Sequence, residues 1–239
     1  MTTIIGISGH KQAGKSVLAN YLIDKFNNRY PSYVANEYSF ADPLKRFCVD
    51  GMGLDEDQCY GDEENKNSLT QYKWDTLSTL IRYRYSNSKI LETRSISKEF
   101  GVMEYVSRDV PEPRSGPMTA REVLQVFGTD VMRNMFSDTI WVNGAMALIQ
   151  HESPDIAFIP DVRFESEVEA IKNSDDSYII RLLRTVSEDS HSSESALDDF
   201  DFVAAMGYRV LIVDNMNMTI EEKNTIVDPF FERILNLLN

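Results

Sequence analysis

The sequence predicts an α/β fold, a parallel sheet with helices on both faces. Three observations carry this prediction. Short apolar runs alternate along the chain with longer amphipathic stretches, in the order strand, helix, strand, helices, strand, helix, strand, loop, strand, helix. Residues 4–7 form a β-branched run that ends at Ser8-Gly9, and a glycine-bearing loop leads from there into a helical pattern. Residues 156–159 form a compact apolar run of the kind expected of a strand buried on both faces.

The elements follow in order. After the first loop, Val17, Leu18, Tyr21, Leu22 and Phe26 recur at helical spacing and predict one apolar face. Residues 33–40 read as a second strand. Asp42-Pro43 then starts a helix, because Asp caps and Pro suits the first turn. Leu44, Phe47 and Cys48 lie on that helix. Residues 55–68 are polar and acidic, with a loop expected at 61–66. Residues 82–117 open with Arg82, Arg84, Lys89, Arg94 and Lys98 and close with Pro111, Pro113, Gly116 and Pro117. This stretch reads as an excursion ending in a linker. Thr119-Ala120-Arg121-Glu122 is a capping box, and Val123, Leu124, Phe127, Val131 and Met135 continue its helix. A second helix is expected over 138–149. The strand at 156–159 ends at Pro160-Asp161, a helix follows over 164–171, and another strand over 178–183. Residues 185–201 are polar without a clear period. The last strand is expected at 209–213 and a terminal helix at 229–238. The whole is expected to be a single domain: a core of about 1–50 and 119–239, an insertion of about 51–118 and a lid of about 184–201.

Composition narrows the function. The 239 residues carry 24 Lys+Arg against 38 Asp+Glu, a formal net charge of -14. So acidic a chain argues against coating DNA or RNA, since neutralising phosphates requires a basic face. A small polyanion is still compatible, because a pocket can be basic on an acidic protein. Of this acidity, residues 185–239 hold eleven acids against three bases. Cys48 and Cys59 form no CxxC pair and have no neighbouring His, which argues against a disulfide framework or a zinc site and fits a reducing cytosol. No signal peptide or transmembrane run is visible, so a cytoplasmic location is expected.

Gly9-His10-Lys11-Gln12-Ala13-Gly14-Lys15-Ser16 matches G-x-x-x-x-G-K-[ST] in full. The glycines let backbone N–H groups turn inward around a phosphate, and the following helix adds its positive end. Lys15 is expected to reach the terminal phosphates and Ser16 to ligate magnesium. The shortness of the chain around this early loop suits a kinase of small molecules. Asp161 and Arg163 follow the third strand, and in an open α/β sheet functional groups gather at the carboxyl ends of strands. Arg163 offers a planar fork for phosphate. Lys45 follows the second strand. Arg121 and Gln125 stand one helical turn apart and suit a phosphate and a base edge. Arg181 and Arg184 precede the 185–201 loop, an arrangement suited to a lid over a transferring phosphoryl group. His191 lies within that loop.

These residues resemble the bacteriophage deoxynucleoside monophosphate kinases, typified by the T4-like enzyme. The matching pieces are Ser8-Gly9 through Lys15, Ala41 to Lys45, Leu124 to Asp130, Trp141-Val142, Pro160 to Arg163 with Glu167, and His191 to Glu194. The resemblance implies an adenylate-kinase-like fold that moves the γ-phosphoryl of ATP to a deoxynucleoside monophosphate (dNMP), with ATP and Mg²⁺ required. It implies ATP contacts from Gly9, Lys11, Gln12, Ala13, Gly14, Lys15, Ser16 and Val17, with Ser16 as metal ligand. It implies dNMP contacts from Lys11, Leu44, Lys45, Arg121, Gln125, Gly128, Thr129, Trp141, Asp161, Arg163 and Glu167, and catalytic roles for Lys15, Asp161, Arg163 and Arg184. The typical enzyme has an acid and a Thr where Ser16 and Val17 stand, and an Arg where Gln12 stands. The expected partners are ATP and a dNMP, without a membrane, and a homodimer is compatible. Alternatives left open are a modified-base dNMP or a hydroxymethylated base in DNA as acceptor, and a nucleotide-binding protein without catalysis.

Overall fold

The structure is a computed structural model that describes residues 2–96, 103–184 and 196–237. Its elements are β1 (Thr3–Ser8), α1 (Lys15–Arg29), β2 (Ala35–Glu37), α2 (Asp42–Asp50), α3 (Glu56–Tyr60), α4 (Glu63–Lys66), β3 (Leu69–Lys73), α5 (Thr79–Arg84), β4 (Asn87–Ile96), β5 (Met103–Glu112), β6 (Pro117–Thr119), α6 (Ala120–Gln125), a π-helical segment (Val126–Arg133), α7 (Ile140–Glu152), β7 (Ile156–Val162), α8 (Glu165–Lys172), β8 (Ser177–Leu182), α9 (Phe202–Met206), β9 (Val210–Val213) and α10 (Ile220–Leu237). They form two compact units, one of Met1–Pro43 with Thr139–Asn239 and one of Leu44–Asp138. Residues 44–50 and 119–138, expected with the core, belong to the second unit.

The first unit is built on a five-stranded sheet in the order β2-β7-β1-β8-β9, parallel throughout. Side chains alternate between its two faces. Ile5 and Ile7 of β1, Phe158 of β7, and Tyr178, Ile180 and Leu182 of β8 pack with α1 and α10 through Leu18, Leu22, Phe26, Phe231 and Ile234. Ile4, Ala157, Ile159 and Ile179 turn the other way, toward Val142, Ala145 and Ile149 of α7, Val168 and Ile171 of α8, and Phe202 of α9. Both faces are covered, as the α/β pattern predicts, and this explains the apolar runs at the middle of the central strands, such as Ile156 to Ile159 and Tyr178 to Ile180.

The second unit has its own core of Cys48, Leu54, Cys59, Trp74, Met118, Ala120, Val123 and Val126. Two short antiparallel pairs accompany it, β3 with β6 and β4 with β5. Both thiols are free and buried, and burial pushes that of Cys48 up to about 12, which makes it unreactive. No helix among the described residues is long and apolar enough to cross a membrane.

Several expected boundaries move. The strand at 33–40 shrinks to Ala35–Glu37 because β2 is an edge strand paired only with β7. Tyr38 and Phe40 still bury their rings beyond it. The loop expected at 61–66 is interrupted by α4, which Asp62 caps by accepting from Asn65 N at 2.9 Å. The excursion at 82–117 contains the β4–β5 ribbon, and its supposed linker ends in β6, paired with β3. The Thr119–Glu122 capping box forms as expected, but Met135 is exposed. Val17 is 47% exposed, so the buried face of α1 is Leu18, Ala19, Leu22 and Phe26 instead.

The terminal helix begins at Ile220, well before 229, and carries Pro229 inside it. The reason is a second capping box. Glu222 N donates to Thr219 Oγ1 at 3.2 Å, and Thr219 N donates to Glu222 Oε2 at 2.8 Å. Thr219→Ala is expected to lower stability by about 1 kcal/mol, measurable as an earlier urea midpoint with an unchanged slope.

Candidate nucleotide site

The site follows from strand register. Ser8, the last residue of β1, pairs with Val162 of β7 on one side and Arg181 of β8 on the other. The loop 9–16 therefore leaves the sheet between the carboxyl ends of β7 and β8, beside Asp161 and Arg163. Gly9 is buried with φ at +155°, and a Cβ there would lie 2.8 Å from the Leu182 carbonyl oxygen, so only glycine fits. Gly14 caps α1 with φ at +85°. Between them Gln12 adopts a left-handed φ of 64°, which costs a non-glycine residue on the order of 1 kcal/mol. Lys15 Nζ donates to the carbonyls of Gly9 and His10 at 2.7 and 2.8 Å. Lys11, Gln12, Ser16 and Val17 are exposed, and Ala13 is buried.

Asp161 is held by the turn that follows β2. Ser39 Oγ donates to its Oδ2 at 2.6 Å and Phe40 N approaches Oδ1 at 3.4 Å. That turn is itself fixed, because Ser39 N donates to Asp42 Oδ2 and Ala41 N to Ser39 Oγ. Burial raises the Asp161 pKa, with the Ser39 and Phe40 bonds and the charge of Arg163 pulling the other way. Ser39 was not predicted, although Ser39-Phe40-Ala41-Asp42 carries the spacing of a local side-chain turn. Glu167 is only 3% exposed and accepts from Arg163 N at 2.6 Å and Phe164 N at 3.1 Å. It thus satisfies donors at the start of α8. Trp141 is buried on α7.

Arg181, expected on the lid with Arg184, is only 5% exposed. Its guanidinium donates to Ser8 Oγ at 2.9 Å and Asp198 Oδ1 at 2.8 Å, and its carbon lies 5.4 Å from the Phe202 ring centroid. Burial lowers its pKa, opposed by Asp198. His10 Nε2 meets the same Asp198 oxygen at 2.8 Å. Arg181 is therefore a tie between β1, β8 and the described end of the expected lid, residues 196–201. Arg184 stays partly exposed and donates its backbone N–H to Asn215 Oδ1 at 3.2 Å. Of the expected lid, residues 185–195, with His191, lie outside the described residues.

The remaining predicted residues belong to the unit Leu44–Asp138. Lys45 Nζ sits 4.8 Å from the Tyr60 ring centroid. Arg121 and Gln125 are both exposed on α6, and Arg121 Nη2 pairs with Glu63 Oε2 at 2.5 Å. Gly128 is buried against Leu44, whose Cδ2 would lie 2.5 Å from a Cβ, so these two predicted residues do meet. Thr129 is exposed. Gly128 and Thr129 lie in the π-helical segment, a widened turn of the kind that recurs at functional sites. Asp130 beside them is buried and accepts from Arg84 and from Tyr85 OH, the latter at 2.7 Å.

No cluster of three or more His, Cys, Asp or Glu suited to a metal occurs among the described residues. The exposed Ser16 hydroxyl in the first turn of α1 fits magnesium nonetheless, since this ion takes most of its oxygens from phosphates and water.

The family model described as deoxynucleotide monophosphate kinase matches residues 76–205. The chain is 25% identical over 217 residues to the deoxynucleoside-5'-monophosphate kinase of Escherichia phage T5, covering 82% of this chain and 86% of that one. It is 28% identical over 235 residues to a putative deoxynucleotide monophosphate kinase of Acanthamoeba polyphaga mimivirus, covering 92% and 91%.

The Asp161 shift has a defined sign. A carboxyl whose pKa is higher folded than unfolded binds protons more tightly when folded, so its contribution to stability falls as pH rises through that interval and stays low above it. Asp161→Asn is expected to melt above the wild type at neutral pH, with the gain fading as pH falls through the interval between the raised folded pKa and the ordinary carboxylate pKa, and absent below that. Thermal melts across pH read this directly.

Proposed function

Because the chain belongs to the deoxynucleotide monophosphate kinase family, we propose that it transfers the γ-phosphoryl of ATP to a dNMP, giving a dNDP and ADP, with residues 9–16 as the ATP phosphate site. The observation that carries this reading is the Ser8 register, which brings the phosphate loop and the Asp161–Arg163 pair to one end of the sheet.

The transfer follows from the chemistry of the groups at that end. An oxygen of the acceptor 5'-phosphate attacks the γ-phosphorus in line. A new P–O bond forms as the bond to the β,γ-bridging oxygen breaks, and ADP leaves with the electron pair. Such a transition state is loose, so catalysis is mainly positioning and charge stabilisation. Lys15 exchanges its loop carbonyls for the β- and γ-phosphates, an ordinary swap of neutral acceptors for anionic ones. Backbone N–H groups of the loop take the remaining phosphate oxygens, with Lys11 and Gln12 at its exposed rim. Magnesium, held by Ser16 and the phosphates, supplies further neutralisation of charge when bound. Arg163 binds the acceptor phosphate, Asp161 orients the acceptor, and Arg184 faces the charge that develops during transfer.

The family resemblance assigns Leu44, Lys45, Arg121, Gln125, Gly128, Thr129, Trp141 and Glu167 to the acceptor. A carboxamide such as Gln125 can read a base edge. Arg121 has to leave Glu63 to do so for a phosphate, and an exposed pair of this kind is weak enough to release it.

A coupled ADP assay over dNMPs, rNMPs and modified dNMPs tests the reading. A dNMP should stimulate ADP formation, and Lys15→Ala should remove at least ~100-fold of that rate. ADP release that no mononucleotide stimulates would sink it. Arg121→Met should raise the KM for the dNMP several-fold and leave that for ATP unchanged.

A further inference from the structure

The two peptide units that precede Lys15 are each held by a side chain from the C-terminal part of the chain. Asn215 Nδ2 donates to the Ala13 carbonyl at 3.0 Å, and Lys223 Nζ to the Gly14 carbonyl at 3.2 Å. Both residues are only 3% exposed. The Gly14 oxygen also accepts the first helical bond of α1, from Leu18 N at 3.1 Å. Asn215 is held in turn, since its Oδ1 accepts from Arg184 N, and this leaves the amide N–H₂ directed at Ala13.

A trans peptide is planar and its N–H points opposite to its C=O. With the Ala13 and Gly14 carbonyls held on the side of Asn215 and Lys223, the N–H groups of Gly14 and Lys15 are turned to the other side. These donors belong to the cap and first residue of α1, the end of a helix at which an anion is favoured.

We propose that Asn215 and Lys223 are positioning residues for the ATP phosphates, holding the Ala13–Gly14 and Gly14–Lys15 peptide units with their N–H groups already aimed at the ligand. The proposal rests on the assignment of residues 9–16 to ATP. Preorganised donors need no reorientation when phosphate arrives, and that advantage is lost when a loop peptide is free to flip.

The cost of Lys223 supports a role toward the ligand over one in folding. Burial lowers its pKa, and the like charge of Arg184 lowers it further. A buried cation in that setting does not favour the folded state, and an apolar side chain of similar length is expected to be tolerated or to stabilise. A polyphosphate in the loop offsets both penalties. Nothing local in the sequence marks Lys223, which reads as one more charge on a helix.

The test is steady-state kinetics of the whole protein with each substrate varied in turn, together with thermal melts. Lys223→Met should raise the KM for ATP by about tenfold, leave the KM for the dNMP within about twofold, and melt no lower than the wild type. Asn215→Asp keeps the acceptor for Arg184 N but loses the donor to Ala13, and should shift the KM for ATP in the same direction. Lys223→Gln restores a neutral donor and should recover part of the loss. If Lys223→Met fails to fold, the other two variants decide. An ATP KM unchanged within twofold in the folded variants, or equal rises for both substrates, overturns the proposal. If wild type is active and Lys15→Ala is silent while these variants keep the wild-type ATP KM, only the positioning role fails. A wild type with no dNMP-dependent ADP formation overturns both readings.

Discussion

The chemistry depends on one level of a parallel sheet, where Ser8 is paired with Val162 on one flank and Arg181 on the other. All five strands run the same way, so their carboxyl ends open at one edge. The phosphate loop leaves β1 there, Asp161 and Arg163 lie at the end of β7, Arg184 follows β8, and Asn215 follows β9. The buried Arg181 fixes that level by binding Ser8 and Asp198 together. A slip of one residue in β1 would exchange Ile5 and Ile7 for Ile4 and Gly6 on the face packed by α1 and α10, so core packing and site geometry specify the same register.

Burial at this edge shifts three ionisable groups in the direction that disfavours charge. Asp161 moves up, while Arg181 and Lys223 move down. The backbone carries a related cost, since Gln12 holds a left-handed conformation and Gly9 and Gly14 adopt positive φ. Side chains from distant elements bind the Ala13 and Gly14 carbonyls, and Lys15 binds those of Gly9 and His10.

The unit Leu44–Asp138 solves a different problem. Its core is small and gathers around Trp74, whose Nε1 donates to Glu122 Oε2 at 3.3 Å. Glu122 also closes the capping box of α6, so one carboxylate joins the start of that helix to the ring at the centre of the core. The buried Asp130 similarly joins the π-helical segment to Arg84 and Tyr85. Gly128 and Thr129 are thereby presented from a segment whose widened backbone is anchored at the next residue.

Features set by neighbouring residues are the most legible in the sequence. The parallel core was legible because a strand buried on both faces is an uninterrupted apolar run, as at Ile156 to Ile159. The phosphate loop was legible because its geometry requires glycine, lysine and serine at fixed spacing. The Thr119 capping box acts across three residues and was equally plain. The similar box at Thr219 is just as local, and it starts α10 at Ile220, nine residues before the expected 229. Other features were decided only in the tertiary structure. Asn215 meets Ala13 across 202 residues, Lys223 meets Gly14 across 209, and Arg181 meets Ser8 across 173. In the sequence, a lysine on a helix and an arginine at a strand end look the same whether water or a buried carbonyl receives their charge. The sequence determined that this chain makes a phosphate loop on a parallel sheet. The fold alone decided which distant side chains bind the loop carbonyls, because that depends on burial, which no local pattern encodes.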